Sequence, residues 1–146
     1  LAMDALHDGM GLNRVVFTLL SQQQLRAHAI AGADNDPKFS RFKITLNGSQ
    51  NLFSSLMEKP QSLWVNATNR AQFQPLLPKT FQNTINCESF FLLSLFVRGK
   101  PAGLLYADRG RSGSPCSLDG HAYHRFKQTG RLIMQAMEIA LQQKHG

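Results

Sequence analysis

The sequence predicts an α+β domain organised around one long apolar β-hairpin, Glu88 to Asp108, and three observations carry that expectation. Ser89 to Val97 is almost continuously apolar, breaks at Gly99-Lys100 and resumes from Ala102 to Ala107, the pattern of strands covered on both faces and joined by a tight turn. Arg41 to Leu46 alternates, with Phe42, Ile44 and Leu46 opposite Arg41, Lys43 and Thr45, as a strand with one wet face does. From Asp119 to about Gln143 the apolar residues recur at helical spacing. A chain of 146 residues with 42% hydrophobic and 17% charged residues suits one independently folding domain.

The remaining elements follow in order. Ala2 to Gly9 reads as the end of a helix, with Met3 and Leu6 three apart and Gly9 or Gly11 to stop it. The chain starts at Leu1, without the basic and apolar stretches of a signal peptide, and reads as a segment excised from a longer multidomain protein. Arg14 to Leu20 is rich in β-branched and aromatic residues. After the polar Ser21 to Gln24, Leu25, Ala27 and Ala29 alternate with Arg26 and His28, so a hairpin is expected. Gly32 to Pro37 is a loop. Asn47-Gly48 marks a turn, and Ser49 is placed to cap a short helix carrying Leu52, Phe53, Leu56 and Met57, which Pro60 ends. Ser62 to Asn66 reads as a strand. Ala67 to Asn86 has helical fragments interrupted by Pro75 and Pro78, and its Phe73, Leu76, Leu77, Phe81 and Ile85 are too apolar to lie free in water. That stretch is expected to cover something. Pro101 is tolerated at the start of the return strand of the hairpin, Arg109 to Ser117 is a Gly/Ser-rich loop, and Asp119 is the candidate cap of the last helix.

That helix carries two adjacent stripes: Phe126, Gly130, Ile133, Met137 and Ala140, and then Leu132, Ala136 and Ile139. Extended by Met134 and Leu141, they span about 200°, more than a helix lying on one sheet needs to bury. The excess is expected to meet a partner subunit's helix or to be buried inside the domain.

Composition bounds the function. The longest apolar run, Phe90 to Val97, is too short to cross a bilayer. Cys87 and Cys116 lie 29 positions apart with no CxxC pair, which indicates neither zinc nor a disulfide framework and suits a reducing cytoplasm. Net charge is +7, but Arg98, Lys100, Arg125, Lys127 and Arg131 lack the aromatic interleaving of a single-strand-binding platform, so nucleic-acid binding is disfavoured. His7-Asp8 lacks the further ligands of a metal phosphohydrolase. His121 and His124 have no acidic or thiol companions, and Asp34-Asn35-Asp36 lacks the glutamate of a calcium loop. No GxSxG, phosphate-cradling loop or carboxylate pair is present, and Cys116 is the one candidate nucleophile. The residues point to a regulatory module rather than an enzyme.

The order of elements, with "LHDGMGLNRVVFTLL" (Leu6 to Leu20) and "FFLLSLFVRGKPAGLLYADR" (Phe90 to Arg109), resembles a GAF domain, and in detail the C-terminal GAF-like region after the HDOD domain of some bacterial signalling proteins. The resemblance implies a GAF/PAS-like antiparallel sheet of about six strands, with the terminal helices on one face and a small-molecule pocket on the other. It places Phe42, Trp64, Phe73, Leu77, Phe81 and Cys87 in that pocket, with Lys79 as an anion partner. It also implies a homodimer through the terminal helices and an upstream signalling domain. The cyclic-nucleotide NKFDE pattern and the surroundings of a bilin-bearing cysteine are absent from the sequence, so the resemblance names no cofactor. A dimerising scaffold with a filled pocket is the alternative, and a cysteine-dependent reductase of free methionine sulfoxide a minor one.

Overall fold

A computed structural model describes residues 14–31, 42–46, 51–84, 89–108 and 119–145. In chain order these form β1 (Arg14–Ser21), β2 (Gln24–Ala31), β3 (Lys43–Thr45), α1 (Leu52–Leu56), β4 (Ser62–Val65), α2 (Arg70–Phe73), a 3-10 turn (Gln74–Leu76), α3 (Lys79–Thr84), β5 (Phe90–Val97), β6 (Lys100–Asp108) and α4 (Gly120–His145). The six strands make one antiparallel sheet in the order β3-β2-β1-β6-β5-β4. The expected helix over Ala2 to Gly9 and the loops at Gly32 to Pro37 and Arg109 to Ser117 lie outside the described residues.

Both faces of the sheet are covered, which is why β5 and β6 read as unbroken apolar runs. One face carries Val16, Leu25, Ile44, Val65, Phe90, Leu92, Leu104 and Tyr106 under α1 and α3. The other carries Val15, Phe91, Leu93, Leu95, Leu105 and Ala107 under Ala122, Phe126 and Ile133 of α4. Ser94, the one polar residue in the run, is buried but satisfied. Its hydroxyl accepts from the Gln61 N–H at 2.9 Å and donates to the Gln61 carbonyl at 3.0 Å, tying the entry of β4 to the sheet.

Three local expectations shift. The alternation in β2 breaks at His28, because the β1–β2 register jumps between Phe17 opposite Ala29 and Thr18 opposite Ala27. The extra residue of that bulge exchanges the faces, so Leu25 and Ala27 join the α1 side while Ala29 joins the α4 side. The central turn is Arg98-Gly99, not Gly99-Lys100: both have positive φ, 55° and 76°, as a two-residue hairpin turn matching the strand twist requires. Lys100 therefore opens β6 opposite Val97, and Pro101 takes the second strand position, at the register jump between Leu95 and Phe96, where no ladder N–H is demanded of it. The cap of α1 is Asn51, whose side chain accepts from the Ser54 N–H at 2.9 Å; Ser49 lies outside the described residues.

Helix α4 begins as expected, with the Asp119 carboxylate accepting the Ala122 N–H at 2.8 Å. Gly130 lets it lie close on β5, since a Cβ there would run into the Leu93 side chain. The far end is fastened by the Phe96 N–H on the Met134 Sδ at 3.4 Å and by the Arg98 Nε on the Glu138 Oε1 at 2.8 Å. Of its two apolar stripes, the one through Phe126, Gly130 and Ile133 is buried, while Leu132 and Ile139 are 57% and 52% exposed. Among the described residues no helix is long and apolar enough to cross a membrane.

Candidate functional site

Among the described residues, the face opposite α4 is covered by short pieces rather than by one long helix. α1, α2 and α3 hold five, four and six residues, lengths at which isolated helices are unstable in water, so anchoring side chains hold them in place. Pro75 sits in the first turn of the 3-10 piece and Pro78 directly precedes α3, positions that tolerate proline because no helical N–H is needed there. The Asn66 and Asn69 side chains bracket the preceding turn, Asn69 accepting from the Asn66 N–H at 2.8 Å and donating to the Trp64 carbonyl at 2.9 Å.

Phe81 of α3 is the anchor. Its ring meets those of Phe53, Phe90, Tyr106 and Phe42 at centroid distances of 5.0, 5.4, 5.9 and 6.1 Å, mostly edge to face, the arrangement favoured by the ring quadrupoles. Of the expected pocket residues, Phe42, Leu77 and Phe81 are buried together in this cluster and Phe73 packs against it half-buried. Lys79 is exposed at the start of α3, beside the cluster rather than in it. Cys87 lies outside the described residues, as does Cys116.

Trp64 is not brought to this face. The β4–β5 register pairs Trp64 with Phe91 and Val65 with Phe90, and side chains alternate along a strand. Val65 therefore faces the Phe81 cluster while Trp64 stands under α4, 5.6 Å from both the Phe91 and the Tyr123 rings. There Tyr123 shares a 2.8 Å hydrogen bond with Ser62 and carries the Lys127 ammonium 4.6 Å above its ring. The residue that takes the expected place of Trp64 is Tyr106, paired with Val16 at the middle of the sheet.

Tyr106 also ends in a polar group that sequence reasoning missed. Arg14 and Asp108 face each other across β1 and β6, and the guanidinium donates from Nε to Oδ1 and from Nη2 to Oδ2, each at 2.8 Å. The Tyr106 hydroxyl donates to the same Oδ2. Arg14 is 4% exposed and Asp108 fully buried. A Tyr-x-Asp spacing places both side chains on one face of a strand, and that was the available signal; the partner 94 positions away was not readable. With the carboxylate bound on both oxygens and shut away from water, this group ties β1 to β6 across the sheet. The face thus offers aromatic and aliphatic surface with one polar end. Among the described residues no three His, Cys, Asp or Glu side chains gather as a metal site, and His121 and His124 are both exposed on α4.

No protein-family model and no curated protein matches the sequence. Solved structures do. The GAF domain of a two-component sensor histidine kinase from Bacillus halodurans superposes with a TM-score of 0.65 at 17% identity, over 98% of this chain and 95% of that one. A GAF domain/HD domain protein from Geobacter sulfurreducens gives 0.62 at 14%, over 94% and 90%. The blue-light absorbing form of the Thermosynechococcus elongatus PixJ GAF domain gives 0.65 at 10%, over 99% and 86%. The chain has the GAF fold.

Proposed function

We propose that this chain is a non-catalytic sensory or regulatory domain of a bacterial, cytoplasmic signalling protein. A small molecule enters the face beneath α1 to α3, and α4 passes the change to a neighbouring domain and to a second copy. The observation that carries this reading is the inequality of the two covers among the described residues: one long continuous helix on one face, and on the other three short pieces held by Phe81. A segment stabilised by a few side chains opens at less cost than the sheet beneath it. An effector with higher affinity for the open cover then shifts the population of the two arrangements. Likeness to domains of a sensor kinase and a photoreceptor supports the sensory reading through the shared fold. Phe42, Phe73, Leu77, Phe81 and Tyr106 line the site, with Lys79 at its edge as the partner of an anionic group; Trp64 is left out, because it belongs to the α4 side. The neighbouring domain of an HDOD type, suggested by the sequence, belongs to the same proposal.

The ring-to-ring packing of Phe42, Phe53, Phe81, Phe90 and Tyr106 favours the second reading, a scaffold whose pocket is filled by its own side chains. Thermal melting against a panel of nucleotides, amino acids and haem separates the two. A true effector at about 100 times its Kd adds about 2.7 kcal/mol, and for a domain of this size raises the melting temperature by roughly 5–10 °C. A panel that leaves the melting temperature unmoved supports the scaffold.

A further inference from the structure

The Phe81 ring is the hub of five buried aromatic rings. It stands at 58°, 66°, 79° and 87° to those of Phe53, Phe90, Tyr106 and Phe42. The five are held unequally. Phe90 and Tyr106 belong to β5 and β6, paired along the sheet. Phe42 is tied to β2 through its carbonyl, which accepts the Ala27 N–H at 3.0 Å, and Phe53 rides on α1 behind the bonded Asn51 cap. Phe81 rides on the six residues of α3, which Gln82 fastens from outside: its side chain donates to the Leu77 carbonyl at 2.8 Å and accepts from the Gln74 amide at 3.3 Å. When the cover swings away it takes Phe81 with it and leaves four rings around the space of one. We infer that this slot takes the ring of a small uncharged aromatic molecule, of one or two rings, and that Phe81 is the plug that occupies it when the cover is closed. This rests on the sensory reading given above and names its class of effector.

Two features select that class. A ring placed where Phe81 lies meets the same four neighbours at steep angles, an arrangement that the ring quadrupoles favour and that an aliphatic body of equal size does not match. The slot also gives a charge no partner. Among the described residues, the buried polar side chains of this face are already bonded: Arg14 and Tyr106 to Asp108, Thr18 to the N–H and carbonyl of Leu104, and Ser94 to Gln61. An ionised group among the rings would be left uncompensated, so a charged substituent has to stay at the edge, where Lys79 is exposed. An apolar cavity of this kind stays dry and admits ligands such as benzene. Phe81 also sets the sensitivity, because a tethered competitor lowers the apparent affinity by the fraction of time that the cover is open. One side chain thus accounts both for the close packing of the closed face and for the chemistry of what replaces it.

Fluorine NMR tests this on the 146-residue chain with 4-fluorophenylalanine placed at position 81 alone. Phenol and indole should move that resonance saturably towards its solvent-exposed position. Cyclohexanol, close to phenol in size but without the ring electrons, should bind at least about 5-fold more weakly. In the chain with Phe81→Ala the plug is gone, and phenol, followed by calorimetry, should bind at least about 10-fold more tightly than it does to the parent. Where that variant does not fold, the fluorinated chain decides alone. A member of the nucleotide, amino-acid and haem panel that moves the resonance when phenol and indole do not overturns the aromatic class and leaves the sensory reading standing. A resonance that no compound moves removes the sensory reading and the inference together. Phenol that binds without moving it, or cyclohexanol that binds as tightly as phenol, overturns the inference.

Discussion

Removing one member of the buried Arg14–Asp108 pair takes away two charge-assisted hydrogen bonds, each worth about 1.5–3 kcal/mol. Asp108→Ala should therefore lower the urea midpoint well beyond the effect of an ordinary surface change. Replacing Arg14, Asp108 and Tyr106 together by Met, Leu and Phe should recover part of the loss, because apolar side chains of similar size do not need the hydrogen bonds that these three make to one another. A midpoint for Asp108→Ala within about 0.5 kcal/mol of the parent would show that the pair is not the fastening it appears in the structure. At this scale the sequence was legible where one strand's periodicity sufficed. Phe42 and Ile44 were placed on one buried face of β3, and the structure puts both in the Phe81 cluster. Trp64 was misjudged because its face depends on the register against β5, a cross-strand property that a four-residue strand does not record in its own letters.

Two glycines show how closely the elements approach and separate two kinds of contact. A Cβ at Gly103 in β6 would strike the backbone carbonyl of Thr18 in β1, whereas a Cβ at Gly130 in α4 would meet only the end of the Leu93 side chain. Backbone in the middle of a sheet moves little, and a leucine terminus rotates. Gly103→Ala should thus cost about 2–3 kcal/mol, while Gly130→Ala should stay within about 1 kcal/mol of the parent. In the latter, helix propensity gains roughly 1 kcal/mol over glycine and offsets the repacking of Leu93. Chemical denaturation of the two variants checks the order, and equal losses would contradict it. The long elements were readable: β5 and β6 by their apolar runs, α4 by its stripes and the Asp119 cap. Turns were read less well. Gln22 and Gln23 both take positive φ, 52° and 63°, in a two-residue turn that glycine or asparagine usually fills. Glutamine gives no such signal, so the connection was bounded to the polar Ser21 to Gln24 without its turn type being read.

Across the whole molecule, six strands were anticipated, but their order was not in the letters. Setting β1 beside β6 joins segments about 90 residues apart, and that pairing creates the two unequal faces on which the functional account depends. The irregular stretch from Ala67 was recognised as a cover because it was too apolar for a loop; that Phe81 is its anchor follows from packing alone. The central claim is that this cover opens as a unit separate from the sheet, and native-state hydrogen exchange tests it without knowledge of any effector. The amides of Gln82, bonded to the Pro78 carbonyl, and Leu77, bonded to that of Gln74, should show protection at least about 100-fold below the β5–β6 ladder, a difference of about 2.7 kcal/mol in opening free energy. Protection at both amides equal to that of the ladder would contradict the claim, since the cover would then open only when the whole domain unfolds.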